Sequence, residues 1–228
     1  SRATWPRASR LNSRRVFVCW FMSDDFEFFS NPVRTRAMTI RSLLLAVLLQ
    51  FSVPLLADDA YVDHKAGFVF PKTIAGFSFE KKNQYDDPRL GYGLNYWSDD
   101  GILITVIVFD LGVRDIPDGI KGFRIQQIMK ESQEDVQRAV NRMIYRSAHV
   151  VEDANVFSPL FIRASYNIVR DDGIERRSHL FIRGQNRHVV KVRATGPAKK
   201  QIDTSIANFI DQLLTIIGAK RGSVPEHQ

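Results

Sequence analysis

The chain predicts an α+β fold, one antiparallel sheet of about six to seven strands with two amphipathic helices packed on it as an α/β sandwich. Three observations lead there. Apolar residues alternate in two separate strand sets. Two other stretches repeat their apolar residues every three or four positions. Tight turns join the strands within each set, which makes neighbours antiparallel. Over 228 residues, 44% hydrophobic and 25% charged, no collagen-like, coiled-coil, disulfide-framework or polytopic membrane pattern appears.

The elements follow in order. Phe68-Val69-Phe70 stops at Pro71, and Phe77-Ser78-Phe79 alternates after Ile74-Ala75-Gly76, giving two short strands. Tyr92, Leu94 and Tyr96 alternate with Gly93, Asn95 and Trp97, and Asp99-Asp100-Gly101 turns the chain into the run Ile102 to Phe109. That run is apolar on both faces, so it is a central strand covered on both sides. After Pro117-Asp118-Gly119, Ile125, Ile128, Met129, Val136, Ala139, Val140, Met143 and Ile144 mark a long amphipathic helix. Leu160, Ile162, Ala164, Tyr166 and Ile168 form the inward side of the next strand, and Asp171-Asp172-Gly173 turns it. Ser178, Leu180 and Ile182 then share a face and, after a loop at Arg183 to Arg187, so do Val190, Val192 and Ala194. This arrangement pairs Ile182 with His188 and Leu180 with Val190; a slip of one residue would reverse which side chains share a face. Ile202, Ile206, Phe209, Ile210, Leu213 and Ile217 give the second helix, closed by Gly218.

Upstream of these elements the composition changes. Met38 to Arg41 is a short positive start, Leu43 to Val53 an apolar run, and Pro54-Leu55-Leu56-Ala57 a small-residue end, which is the layout of a secretory signal peptide over 38–57. The apolar run is shorter than the roughly 20 residues a spanning helix needs, which favours cleavage over an N-terminal anchor. Residues 1–37 then read as translated upstream sequence or a disordered leader, 58–218 as one α+β domain, and 219–228 as a frayed tail. The domain is expected in the periplasm or secreted, with no integral membrane segment after cleavage. The net charge of +7 also resides upstream: eight of the 32 basic and three of the 25 acidic residues precede position 58, leaving +2 for the rest. That balance argues against nucleic acid as a partner. The single cysteine, Cys19, is upstream as well, so the domain forms no disulfide and offers no thiolate metal site.

Phe70-Pro71 with Ile74-Ala75-Gly76-Phe77, the Asp110-Leu111-Gly112 exit of the central strand, and Val190-Lys191-Val192-Arg193 before the last helix give 68–217 a resemblance to small exported bacterial proteins of unknown function. More distantly, the same residues and element order resemble the PsbP-like α/β/α sandwich. The resemblance implies a binding or assembly role by analogy of fold.

The search for chemistry finds no catalytic residues, no metal site and no cofactor motif. The pairs Asp86-Asp87, Asp99-Asp100 and Asp171-Asp172 precede Pro or Gly and read as turns. His64, His149, His179, His188 and His227 lack the spacing of a helical zinc site, and in the pairing above His179 and His188 face opposite sides of the sheet. No nucleophile elbow, phosphate loop or dinucleotide fingerprint is present, although a Ser, a His and an Asp can still meet in space. Two surfaces remain as binding candidates. Tyr92, Tyr96 and Trp97 suit either a hairpin core or an aromatic cleft. Arg163, Arg177, His179, Arg183, Lys191 and Arg193 occupy outward positions of the second strand set and would form one cationic face. Such a face is either solvated or a docking site for an anionic envelope component such as a protein, lipid headgroup or polysaccharide. A non-catalytic envelope binding module leads, with a small loop-built hydrolase or transferase as the alternative.

Overall fold

The computed structural model describes residues 59–157, 160–198 and 202–219. The leader and signal segment read from the sequence, and all but the first residue of the tail, lie outside the described residues. Among the described residues ten strands and two α-helices are formed: β1 (Asp59–Asp63), β2 (Phe68–Pro71), β3 (Thr73–Ile74), β4 (Phe77–Gln84), β5 (Tyr92–Trp97), β6 (Leu103–Phe109), α1 (Phe123–Asn141), β7 (Ser147–Val156), β8 (Ile162–Val169), β9 (Glu175–Gln185), β10 (His188–Pro197) and α2 (Asp203–Ile216). Strands β3 to β10 make one eight-stranded antiparallel sheet in the order β3-β4-β5-β6-β10-β9-β8-β7, and β1 pairs with β2 as a separate hairpin.

The doubly apolar run of β6 sits in the middle of that order, as its composition requires. Ile104, Val106 and Val108 face a first core with Leu94, Tyr96, Val190 and Val192, closed by Ile206, Phe209, Ile210 and Leu213 of α2 and by Phe68 and Phe70 of the β1–β2 hairpin. Phe209 packs edge-on against both Phe77 and Tyr96, with ring centres 5.3 and 5.5 Å away. Ile107 and Phe109 face a second core with Ile162, Ala164, Leu180, Ile182 and Val189, closed by Ile125, Ile128 and Met129 of α1. The two helices therefore cover opposite faces of the sheet, and the α+β sandwich read from the sequence is present with one strand more in its main sheet than the upper count. No helix among the described residues is long and apolar enough to cross a membrane.

Three features depart from the sequence reading. The edge strand β7 was not anticipated, because Val150, Val151 and Val156 are exposed and two register irregularities break its alternation. Helix α1 ends at Asn141, with Met143 in the left-handed region at φ 60° and 81% exposed rather than in the stripe. Toward the sheet α1 instead presents the polar pair Ser132 and Asp135.

The third departure is the register of β9 against β10. Asn186 and Arg187 both have positive φ, 48° and 63°, which is the two-residue turn that matches strand twist. The strands therefore run up to Gln185 and start again at His188, and Ile182 pairs with Lys191 rather than with His188. The offset is odd, so the side chains trade faces. Phe181 and His179 lie with Val192 and Ala194, whereas Leu180 and Ile182 lie with Lys191 and Arg193.

Candidate functional site

Three turns converge beyond the end of β6, and each is built by a local polar contact. In the β1–β2 turn, Asp63 Oδ1 accepts the Lys65 and Ala66 N–H groups at 2.9 and 3.0 Å, while its Oδ2 accepts the Tyr92 hydroxyl at 2.7 Å. That bond anchors the hairpin to β5. At the β6 exit, Asp110 Oδ1 accepts the Gly112 N–H at 2.8 Å, a short side-chain turn that reverses the chain. In the β9–β10 turn, the Asn186 N–H donates to Asp118 Oδ1 at 2.8 Å and Asn186 Nδ2 donates to the Ala66 carbonyl at 2.9 Å. Asn186 thus ties its own turn to both the β1–β2 turn and the segment after β6.

Between these turns lies a cleft of about 350 Å³, lined by Lys65, Asp110, Gly112, Val113, Arg114, Asn186, Arg187 and His188. Lys65 Nζ meets Asp110 Oδ2 at 2.5 Å. Partial burial works against the Asp110 charge, but Lys65, the Gly112 N–H and nearby His188 outweigh it and hold the carboxyl below its ordinary value. His188, nearly buried, donates Nδ1–H to the Asn186 carbonyl at 2.8 Å and rests edge-on against Phe68. Arg187 Nε donates to the Arg114 carbonyl at 3.2 Å. Among the described residues neither Arg114 nor Arg187 has an acidic partner, so their charges remain uncompensated at the cleft.

The cationic set expected on one surface is divided by the register. Lys191, 2% exposed, and Arg193 lie on the α1 face. There burial pushes the Asp135 carboxyl up against the pull of Lys191 and Arg138, and Arg193 donates to the Tyr145 hydroxyl. Arg183 is on the other face but buried, donating to the carbonyls of Gly184 and Leu160 and to Gln185 Oε1. It is a strut for the β8 entry rather than a surface group. Arg163, Arg177 and His179 do share a face, with Arg163 paired to Glu152. Of the aromatic candidates, Tyr92 and Tyr96 are core, their hydroxyls donating to Asp63 and to the Pro71 carbonyl. Trp97 is half-buried on the opposite face of β5.

A serine, a histidine and an aspartate do meet in space. Ser165 Oγ is 2.9 Å from His179 Nδ1, and Asp203 Oδ1 is 3.1 Å from Nε2. Asp203 lies off the hydrogen-bonding direction of the ring, however, and Nε2 has no hydrogen-bond partner. Burial, only partly offset by Asp203, pushes the imidazole down to about 4, so it is neutral near pH 7. Ser165 is only 2% exposed, and a hydroxyl so enclosed gives a substrate no line of approach.

The expectation that His179 and His188 face opposite sides is also corrected. Both lie on the α2 face, but His179 is level with Ala194, six residues along β10 from His188, roughly 20 Å at strand spacing. Among the described residues no three His, Cys, Asp or Glu side chains gather as a metal site. Sequence reasoning passed over Lys65, Arg114, Asn186 and Arg187. The one signal that pointed to the cleft was the Asp110-Leu111-Gly112 exit of the central strand.

No family model matches the chain, and no curated protein matches it. Among solved structures it is similar to the solution structure of cyanobacterial PsbP (CyanoP) from Synechocystis, at 14% identity and a TM-score of 0.44 over 74% of this chain and 95% of that one.

Proposed function

We propose that the chain is a non-catalytic binding module of the cell envelope, exported by the segment 38–57, whose binding site is the cleft at the turn end of the sheet. The observation that supports this reading is the charge at the cleft. Among the described residues its one lining carboxylate, Asp110, is already neutralised by Lys65, while Arg114 and Arg187 have no acidic partner. A concave site with two uncompensated guanidinium groups favours a ligand or partner carrying negative charge.

The test is a thermal-shift panel of anionic compounds against the parent and the double variant Arg114→Glu/Arg187→Glu. A compound that binds the folded state raises its midpoint by mass action. The reading expects at least one compound to raise the parent's midpoint and leave the double variant's unchanged. Equal shifts in both proteins, or none in either, refute it.

A hydrolytic reading has one observation in its favour, the Ser165–His179 contact. Covalent labelling of Ser165 by a fluorophosphonate probe in the folded protein, abolished in His179→Gln, would establish it. The enclosure of Ser165 leads us to expect no labelling.

A further inference from the structure

We propose that the cleft takes a multiply charged oxyanion group, phosphoryl or polycarboxylate, on a small molecule, and that Lys65 leaves Asp110 to bind it. This rests on the cleft being the binding site and adds the class of ligand and the part played by Asp110. Both oxygens of Asp110 are occupied, Oδ1 by the Gly112 N–H and Oδ2 by Lys65. Asp110 is therefore engaged within the fold, and its carboxylate occupies on Lys65 the place that an anionic ligand would take. Arg187 commits only Nε, to the Arg114 carbonyl, which leaves its two terminal nitrogens for the forked contact that guanidinium makes with phosphoryl or carboxylate oxygens. With Arg114 and a released Lys65 the cleft sets three cationic groups against the one carboxylate of Asp110, so a group bearing two negative charges is favoured over a single carboxylate.

The volume and backbone agree with a built site. About 350 Å³ is at the low end of the range of roughly 300 to 1,000 Å³ for small-molecule sites, leaving room for a ligand body beyond the anionic head. Three non-glycine residues at the rim, Leu111, Asn186 and Arg187, hold left-handed backbone at φ 54°, 48° and 63°. At Asn186 and Arg187 this is the two-residue β9–β10 turn, and at Leu111 it follows the Asp110 turn, so local turn geometry shapes the rim. The Lys65 side chain is 72% exposed and, among the described residues, Asp110 is its one acidic partner, so the pair is a weak surface contact that a better anion displaces.

Titration calorimetry of the full chain at low ionic strength, with inorganic pyrophosphate and with citrate as probes, tests the proposal. The parent is expected to bind at least one, and the preference between them tells phosphoryl from polycarboxylate. Asp110→Asn keeps an oxygen for the Gly112 N–H but has no charge to hold Lys65. It should bind the preferred probe more tightly, up to about fivefold, equivalent to about 1 kcal/mol for an exposed pair. Arg114→Ala, at an exposed position with no ion pair, should keep the parent's melting curve and bind at least tenfold more weakly. If Arg114→Ala weakens binding but Asp110→Asn does not tighten it, the exchange of Lys65 is wrong while the cleft stands. Binding indifferent to Arg114→Ala overturns both. Neither probe binding, while another compound of the thermal panel does so through the arginines, overturns the oxyanion class and leaves the binding module.

Discussion

Replacing Gly184 by alanine perturbs a backbone bridge that joins the sheet to the segment carrying Arg114 and Asp118. Gly184 of β9 and Gly119 exchange N–H···O bonds of 2.8 Å in both directions, across an isolated antiparallel bridge. A methyl group on Gly184 would lie 1.9 Å from the Pro117 carbonyl oxygen and 3.0 Å from its carbon, so the segment around Pro117 must retreat. Losing the two bonds costs about 0.5–1.5 kcal/mol each, and forcing the packed segment outward adds about 1–3 kcal/mol. We expect Gly184→Ala to lose about 2–6 kcal/mol in urea denaturation, with faster hydrogen exchange at the Gly119 amide. The same variant should weaken anion binding, because Asp118 holds the Asn186 N–H and so links this segment to the far wall of the cleft. A loss below about 1 kcal/mol, the scale of an ordinary surface change, with Gly119 exchange unchanged, would show that the bridge is not made and that the wall is held some other way.

Three further outcomes follow from the cores and from one buried histidine. Phe209→Ala removes a fully buried ring edge-packed on Phe77 and Tyr96 and should cost about 3–5 kcal/mol by urea denaturation. Ile107→Ala, in the core under α1, should cost about 2–5 kcal/mol, and a much smaller loss at either position takes that residue out of its core. His179 is held down to about 4 from an ordinary 6.5 chiefly by burial, so the fold favours its neutral form. A folded value below the unfolded one means stability intact above about pH 6.5 and lost as the pH falls from there toward about 4. His179→Gln should flatten that decline between about pH 7 and pH 4.5, a window above the range in which Asp172, held at about 2 chiefly by Arg176, takes up its proton. An equally steep decline in the variant would assign the acid sensitivity elsewhere.

Where burial wrote a period into the chain, the sequence was readable. Ile102 to Phe109, apolar on both sides, announced the central strand, and the stripe from Ile202 to Ile217 announced α2. Where a strand buries little, no period exists to read, and β7, with Val150, Val151 and Val156 exposed, is that case. The register of the last hairpin was lost for a different reason. Arg187 is an unusual residue for left-handed backbone, so Asn186-Arg187 did not read as a two-residue turn in the way Asn-Gly would. A loop begun three residues too early then shifted the pairing by an odd number and moved Lys191 and Arg193 to the wrong face. The cleft was least legible of all. Lys65, Asp110, Arg114 and Arg187 come from three turns far apart in the chain, and no spacing in a linear sequence records that turns converge.

The central claim is that Lys65, Arg114 and Arg187 form one anion site, and a crystal structure of the full chain grown with whichever of pyrophosphate and citrate it prefers tests it most directly. The account predicts density for that anion in the cleft within hydrogen-bonding distance of both arginines, with Lys65 Nζ turned away from Asp110 and onto the ligand. Density bound elsewhere on the molecule, beside a cleft in which Lys65 still sits on Asp110, would contradict it.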